Sequence, residues 1–263
     1  MDRSPAGSDR VSDDDGALLD IAVEAARTAG ALLLERFGSE RVLATKSTST
    51  DLVSAADLAA EAAIREILAR RAPDDAIMGE EGEDTGGTSG RRWVVDPLDG
   101  TVNFLYGLPQ WCVSIACEGR AAAIFDPVLD ELFTATADGP AECNGIALAP
   151  VPPEDLAHAL VATGFGYDMR RRELQAEVVA RVVPRARDIR RGGSAALDLA
   201  WTAAGRLDAY YERGVNLWDV AAGELICARA GLEVSRLEPV GELPWGTFAA
   251  PVAIAADLRA LVS

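Results

Sequence analysis

The chain has 263 residues, 49% of them hydrophobic and 25% charged, and a formal net charge of −17. That length allows one large domain or two packed ones around a sizeable core, and the acidity argues against a non-specific grip on nucleic acid or on an anionic membrane surface. No segment approaches the ~20 consecutive apolar residues of a membrane span.

Residues 1–15 are polar and acidic without an apolar stretch, so they do not read as a secretory signal and are expected to be a disordered leader. Residues 17–37 are rich in Ala and Leu at helical spacing, with Gly38 as the stop. Residues 46–51 are a Ser/Thr-rich loop, and Ser54 or Asp57 opens a second helix that runs to about Arg71, before Pro73. A short strand over 75–78 leads into Gly79-Glu80-Glu81, followed by a polar, Gly-rich loop over 83–90 that is expected to be mobile. Residues 93–95, 111–117, 121–125 and 132–135 read as strands, being short and rich in β-branched or aromatic side chains. Pro152 and Pro153 mark residues 151–154 as a linker. Beyond it strands (160–163, 188–190, 207–211) alternate with helices (171–183, 195–204, 218–230). The expected organisation is therefore a leader over 1–15, an α+β half over 16–150 and an α/β half over 151–263.

Cys112, Cys117, Cys143 and Cys227 have no C-x-x-C spacing, and His158 is the single histidine. That donor set argues against a zinc site. The cysteines read as small buried hydrophobes of a reducing compartment, which implies a cytoplasmic setting. A phosphate substrate would be repelled by so acidic a chain unless cations sit in the site, which favours a metal-dependent reaction.

The most informative stretch is Trp93-Val94-Val95-Asp96-Pro97-Leu98-Asp99-Gly100-Thr101-Val102-Asn103-Phe104. An apolar run delivers Asp96, Pro97 ends regular pairing, and Asp99 follows three residues after Asp96. Two carboxylates beside a sharp turn suit a hard divalent cation such as Mg²⁺, which takes oxygen ligands. The adjacent N–H groups of Gly100 and Thr101, at a helix start, suit a phosphate oxygen. Other acids also stand at element ends: Glu80 after a strand, and Asp219 beside Trp218 at a helix start. Each has an ordinary alternative. Acids at helix starts complement the dipole, and Asp with Pro is common in plain turns.

The combination resembles the inositol monophosphatase family of Mg²⁺-dependent, lithium-sensitive phosphatases, over roughly residues 17–231. The resemblance is carried by Asp96-Pro97-Leu98-Asp99-Gly100-Thr101-Val102-Asn103-Phe104 and by Trp218-Asp219-Val220-Ala221-Ala222-Gly223. Gly79-Glu80-Glu81, Asp51-Leu52-Val53-Ser54-Ala55-Ala56-Asp57, the 190–196 stretch with Gly193-Ser194-Ala195, and Asp208-Ala209-Tyr210-Tyr211-Glu212 match in the same order.

The resemblance implies a layered αβαβα sandwich of the inositol monophosphatase / fructose-1,6-bisphosphatase type, and a homodimer. It implies that Glu80, Asp96 and the carbonyl of Leu98 hold one Mg²⁺, that Asp96, Asp99 and Asp219 hold a second, and that Glu80 helps hold a third through water. The phosphate would rest on the metals and on Gly100 and Thr101. Asp57 and Thr101 would orient and deprotonate an attacking, metal-activated water. Gly193, Ser194, Ala195 and Glu212 would contact the substrate alcohol. Glu212 also reads as a surface charge beside Arg213, and Arg190 and Arg191 as partners of acids at a dimer contact, as substrate contacts, or as solvated side chains. Lys46 lies in a loop near the site in relatives and is given no role. His158 lies outside every motif and is read as structural or exposed. The hairpin over 118–125 is shorter than the family's. Leu232-Glu233-Val234-Ser235-Arg236 replaces the usual Gly-Gly turn after Gly231.

The implied reaction is hydrolysis of a small polyol or sugar phosphate, with myo-inositol 1-phosphate as the leading substrate. Histidinol phosphate, fructose 1,6-bisphosphate and a nucleotide 3′-phosphate stay open as substrates, since one fold serves several alcohols. A non-catalytic regulatory protein on the same fold is the alternative of another class. The intact Glu80, Asp96, Asp99, Thr101 and Asp219 argue against it.

Overall fold

The computed structural model describes the backbone of residues 9–39, 42–45 and 52–263, and side chains over 14–39 and 55–263. Residues 1–8 of the expected leader, the 46–51 loop with Lys46, and Asp51 of the matched motif lie outside the described residues.

The N-terminal half runs α1 (Asp9–Arg36), β1 (Val42–Thr45), β2 (Leu52–Ser54), α2 (Ala55–Arg71), β3 (Ala76–Gly79), β4 (Arg92–Asp99), α3 (Thr101–Tyr106), β5 (Cys112–Cys117), β6 (Ala121–Asp126), β7 (Glu131–Thr136), β8 (Glu142–Cys143) and β9 (Ile146–Ala147). The C-terminal half runs β10 (Leu160–Thr163), α4 (Met169–Val182), β11 (Asp188–Arg190), α5 (Ala195–Ala203), β12 (Ala209–Arg213), α6 (Leu217–Arg229), β13 (Glu233–Leu237), β14 (Gly246–Ala250) and α7 (Val252–Val262).

Two large sheets and three pairs of helices alternate as αβαβα, beside a two-stranded sheet of β1 and β2 and the short α3. The seven-stranded sheet has the order β3-β4-β5-β6-β7-β8-β9, antiparallel except for β3 beside β4. The five-stranded sheet has the order β11-β10-β12-β14-β13, with β10 parallel to both neighbours. Each gap between layers holds its own apolar core. In α1, Leu18, Ile21, Ala22, Ala25, Ala29 and Leu33 recur at helical spacing and are buried. They pack with Ile64 and Leu68 of α2 against Trp93, Val95, Ile115 and Ala123 of the large sheet. Leu197 and Leu199 of α5, with Val220 and Ile226 of α6, fill the gap between the two sheets. Val178 of α4 and Ile254 and Leu258 of α7 cover the outer face of the small sheet, against Val161 and Phe248. Strands covered on both faces read as continuous apolar runs, as in Cys112–Cys117 and Ala121–Asp126, where every residue is buried. The four cysteines are free thiols, three of them buried.

Two expectations change. Residues 9–15 belong to α1 rather than to a disordered leader. Arg120 anchors that end, with ion pairs to Asp14 at 3.0 Å and Asp15 at 2.5 Å. The 83–90 loop is exposed but tied. Ile77 and Thr85 exchange backbone hydrogen bonds of 3.1 and 2.8 Å, and the N–H groups of Thr88 and Ser89 donate to the Asp74 carbonyl. The elements the sequence does not announce are β1, β2, β8, β9, β13, β14 and α7. Most are short, and β14 opens on Gly246, so local pattern carries little signal for them.

Candidate active site

β4 carries Asp96 and Asp99 at its C-terminal end. Its pairing with β5 slips there: Asp96 lies opposite Ser114 and Asp99 opposite Cys112, so three steps on one strand match two on the other. In a regular strand, residues three apart point to opposite faces. The extra residue of a bulge brings them to one side. Pro97 has no N–H to give to a ladder and fits only at such a break. Both carboxylates consequently line one cavity of about 600 Å³, within the usual range for small-molecule sites.

Gly100 then turns the chain into α3 with φ +100°, and a Cβ there would sit 2.8 Å from the Gln110 carbonyl oxygen, so only glycine fits. The turn puts Thr101 at the cavity edge. Its Oγ1 lies 3.0 Å from Asp57 Oδ1 and 3.1 Å from the Leu98 carbonyl oxygen. Asp57, in the first turn of α2, is fully buried. Asn103 of the same motif donates to the carbonyls of Gln110 and Gly192 at 2.7 and 2.9 Å, which ties α3 to the approach to α5.

Glu80 follows β3 and lines the cavity, within hydrogen-bonding reach of Asp96. Its turn is held by a residue that sequence reasoning missed. Glu61, buried on α2, accepts from the N–H groups of Glu81 and Gly82 at 2.7 and 2.8 Å and from Arg65 at 2.7 Å. Its one available signal is position: it lies one helical turn after Asp57 on the same face. Asp219 lies in the first turn of α6, where its carboxylate accepts from the Asn216 N–H at 2.6 Å.

Asp99 is fixed across the layers. One of its oxygens accepts from Ser194 Oγ at 2.8 Å and from the Ala196 N–H at 2.6 Å, at the start of α5. Ser194 also caps α5 by accepting from the Leu197 N–H. Ser194 is thus buried behind the cavity, holding Asp99, while Gly193 and Ala195 face the cavity itself. Glu212, at the end of β12, faces the cavity from the opposite wall and accepts from Tyr210 Oη at 2.6 Å. It is not a surface charge. His158 is half exposed and pairs with Asp155, and Arg190 pairs with Asp188, neither of them at the cavity. Arg191 does line the cavity, as do Arg171 and the loop from Gly164 to Asp168, which sequence reasoning did not single out.

The acids repel one another. Burial, then the neighbouring Glu80, Asp99 and Asp219, push the Asp96 carboxyl well above the ordinary carboxylate range. Burial and the charge of Asp99 do the same to Asp219. Asp99 is pushed up to about 7 by burial, against the pull of its bonds from Ser194 and Ala196. Among the described residues no three Asp, Glu, His or Cys side chains form a ready-made metal cluster. Asp99 and Asp219 each direct an oxygen at a backbone N–H, as does Asp96 at the Leu98 N–H, 3.0 Å away. The donor set nevertheless fits a divalent cation. Four carboxylates and a carbonyl are hard oxygen donors, and buried like charges call for a positive partner.

The chain matches the model of the inositol monophosphatase family over residues 14–260. It is 43% identical to the inositol-1-monophosphatase SuhB of Mycobacterium tuberculosis, the match covering 81% of this chain and 80% of that protein. It is 42% identical to the Nus factor SuhB of Escherichia coli K12, covering 83% and 84%. Among solved structures, the extragenic suppressor protein suhB of Bartonella henselae superposes with a TM-score of 0.86 at 34% identity, covering 94% of this chain and 98% of that one. The inositol monophosphatase of Anabaena superposes with a TM-score of 0.80 at 33% identity, covering 93% and 94%.

Proposed function

The chain belongs to the inositol monophosphatase family and is a phosphoric monoester hydrolase, and from that premise we propose that it hydrolyses a small polyol phosphate, with myo-inositol 1-phosphate as the leading substrate, in a Mg²⁺-dependent reaction. The observation that carries this reading is the gathering of Glu80, Asp96, Asp99 and Asp219 on one wall of a cavity, with the Thr101–Asp57 pair at its edge and Glu212 opposite.

Glu80, Asp96, Asp99, Asp219 and the Leu98 carbonyl would hold two or three Mg²⁺ ions. Bound there, the ions supply Lewis-acid neutralisation of the phosphate and a lowered pKa for water. The protein's own groups do the rest. Gly100 and Thr101 offer small side chains and backbone N–H groups toward the phosphate. The Thr101 hydroxyl has one proton, which it donates to Asp57, so its free lone pair can accept a proton from an incoming water. That proton moves to Thr101 Oγ1 as the hydroxyl proton passes to Asp57 Oδ1, and the positioned base raises the rate by roughly 10²–10⁴. Glu212, kept in place by Tyr210, is the acceptor for ring hydroxyls, with Gly193 and Ala195 leaving room beside it.

The homodimer and cytoplasmic setting implied by the resemblance belong to this proposal. No described helix is long and apolar enough to cross a membrane. The intact Glu80, Asp96, Asp99, Thr101 and Asp219 favour the catalytic reading, and the similarity to a Nus factor keeps a regulatory protein on the same fold as the alternative.

The test is phosphate release from inositol 1-phosphate, histidinol phosphate, fructose 1,6-bisphosphate and adenosine 3′,5′-bisphosphate, each with Mg²⁺, with EDTA, and with Mg²⁺ plus Li⁺. The expected result is Mg²⁺-dependent, Li⁺-inhibited release with inositol 1-phosphate preferred. Release that persists in EDTA would refute the metal assignment. A stronger preference for another ester would move the substrate.

A further inference from the structure

One buried acid behind the cavity has no part in the reaction just described. Asp198 lies in the first turn of α5 and is 2% exposed. Acids at helix starts usually complement the dipole, but this helix start is already served: the Ala196 N–H donates to Asp99 and the Leu197 N–H to Ser194 Oγ. Asp198 also stands among like charges. Burial, then Glu212 and Asp99, push its carboxyl well above the ordinary carboxylate range. The charge of Arg191 acts the other way on both Asp198 and Glu212, so these three groups form one electrostatic cluster.

Asp198 holds a backbone N–H from outside its helix, that of Gly192. The approach is close: a Cβ at Gly192 would come 2.2 Å from Asp198 Oδ1, so only glycine fits. The Gly192 carbonyl is held separately, by Asn103 Nδ2 at 2.9 Å. The N–H of a residue belongs to the peptide before it and the carbonyl to the peptide after it, and each peptide is a rigid plane. Fixing both planes fixes φ and ψ of the residue between them, and glycine is the residue with the most freedom to lose.

On one side of this joint stands Arg191 and on the other Gly193, and both line the cavity. A Cβ at Gly193 would come 2.5 Å from Arg191 Nη1 and 2.9 Å from Asn103 Nδ2. This part of the wall is therefore tightly stacked, and its placement depends on one glycine. Asp198 does not itself line the cavity.

We propose that Asp198 is a positioning residue for substrate recognition: by holding the Gly192 N–H it locks the joint between Arg191 and Gly193, and so sets the surface on which the substrate alcohol rests beside Glu212. This rests on the phosphatase reading of the same cavity.

The test compares inositol 1-phosphate with p-nitrophenyl phosphate, which carries no ring hydroxyls, as substrates of the full-length protein in Mg²⁺. Asp198→Ala should raise KM for inositol 1-phosphate about tenfold, while its kcat and both constants for p-nitrophenyl phosphate change less than about threefold. Gly192→Ala, which forces a Cβ into the same contact, should reproduce that pattern with Asp198 intact. Asp198→Asn keeps an oxygen for the Gly192 N–H and should hold KM within about threefold of the wild type. Equal losses for both esters would mean that Asp198 only supports the fold, and would overturn the assignment. So would Asp198→Asn as damaging as Asp198→Ala, because the charge and not the hydrogen bond would then be at work. The same variants are titrated by calorimetry with the methylenephosphonate analogue of inositol 1-phosphate and with methylphosphonate. If the wild type turns over neither ester, the phosphatase reading fails and the titration decides. Binding of the inositol analogue alone weakened about tenfold by Asp198→Ala upholds the positioning role, and equal weakening of both ligands overturns it.

Discussion

On the acidic wall of the cavity, three of the four carboxylates that face Mg²⁺ in the proposed reaction are aimed by backbone. Asp96 takes the Leu98 N–H, Asp99 the Ala196 N–H and Asp219 the Asn216 N–H. On the opposite wall the aim comes from side chains and from missing side chains: Tyr210 holds Glu212, and Gly166 and Gly214 make space for Arg171. Backbone donors are set by turn and helix-start geometry, which changes little when neighbouring side chains change. Spaces left by glycines are altered by a single Cβ. The first wall is accordingly suited to chemistry that must not vary, and the second to selecting the alcohol.

That contrast can be broken in order of expected effect. Asp99→Asn keeps an acceptor for Ser194 and Ala196 but removes a charge from the acidic wall. It should lower kcat by about 10³-fold or more with little change in Tm, measured by phosphate release and thermal melting. Near-normal turnover would remove Asp99 from the metal set. Thr101→Ala should cost about 10²-fold in kcat with a smaller change in KM, because the water loses its route to Asp57. Equal activity would mean that Asp57 and Thr101 are structural.

Glu61→Gln tests whether positioning on the acidic wall extends one shell back. It should weaken Mg²⁺ activation roughly 10-fold, as partners behind metal ligands do, read from a Mg²⁺ titration of activity. An unchanged titration would confine Glu61 to holding the turn. Glu212→Ala should raise KM for the preferred polyol phosphate by about tenfold while kcat holds, the pattern of a lost ground-state contact. A fall in kcat alone would move Glu212 to the acidic wall's side of the comparison.

The smallest effect is on stability. Asp96, Asp99 and Asp219 have folded-state pKa values raised above the unfolded ones. Between the unfolded value and the raised one, the folded protein binds more protons than the unfolded chain, so stability falls as pH rises. The protein in EDTA should therefore melt at a higher temperature near pH 5 than near pH 8, by a few degrees, about the shift expected for roughly 1 kcal/mol. Saturating Mg²⁺ should remove that slope. A flat apo profile would mean that the acids do not repel one another as their burial implies.

The sequence alone determined the elements with strong local signals and the motif of the acidic wall. The Ala-rich α1, the apolar runs of β5 and β6, and the turn from Asp96 to Thr101 are all specified within a dozen residues. Proline removes an N–H and glycine permits positive φ wherever they stand, so their effect is readable without a fold. Pattern could not reveal Glu61, nor that Ser194 faces Asp99 rather than the cavity. Each of those contacts joins residues 20 or more positions apart. It left Arg191 and Glu212 between surface and site for the same reason. Residues 9–15 looked unfolded because they are polar and acidic without an apolar stretch, and Arg120, which pairs with Asp14 and Asp15, is over a hundred residues away in the chain. Local sequence fixes local backbone through sterics and hydrogen-bonding capacity. Which side chains then meet across layers depends on packing, and only the tertiary structure decides it.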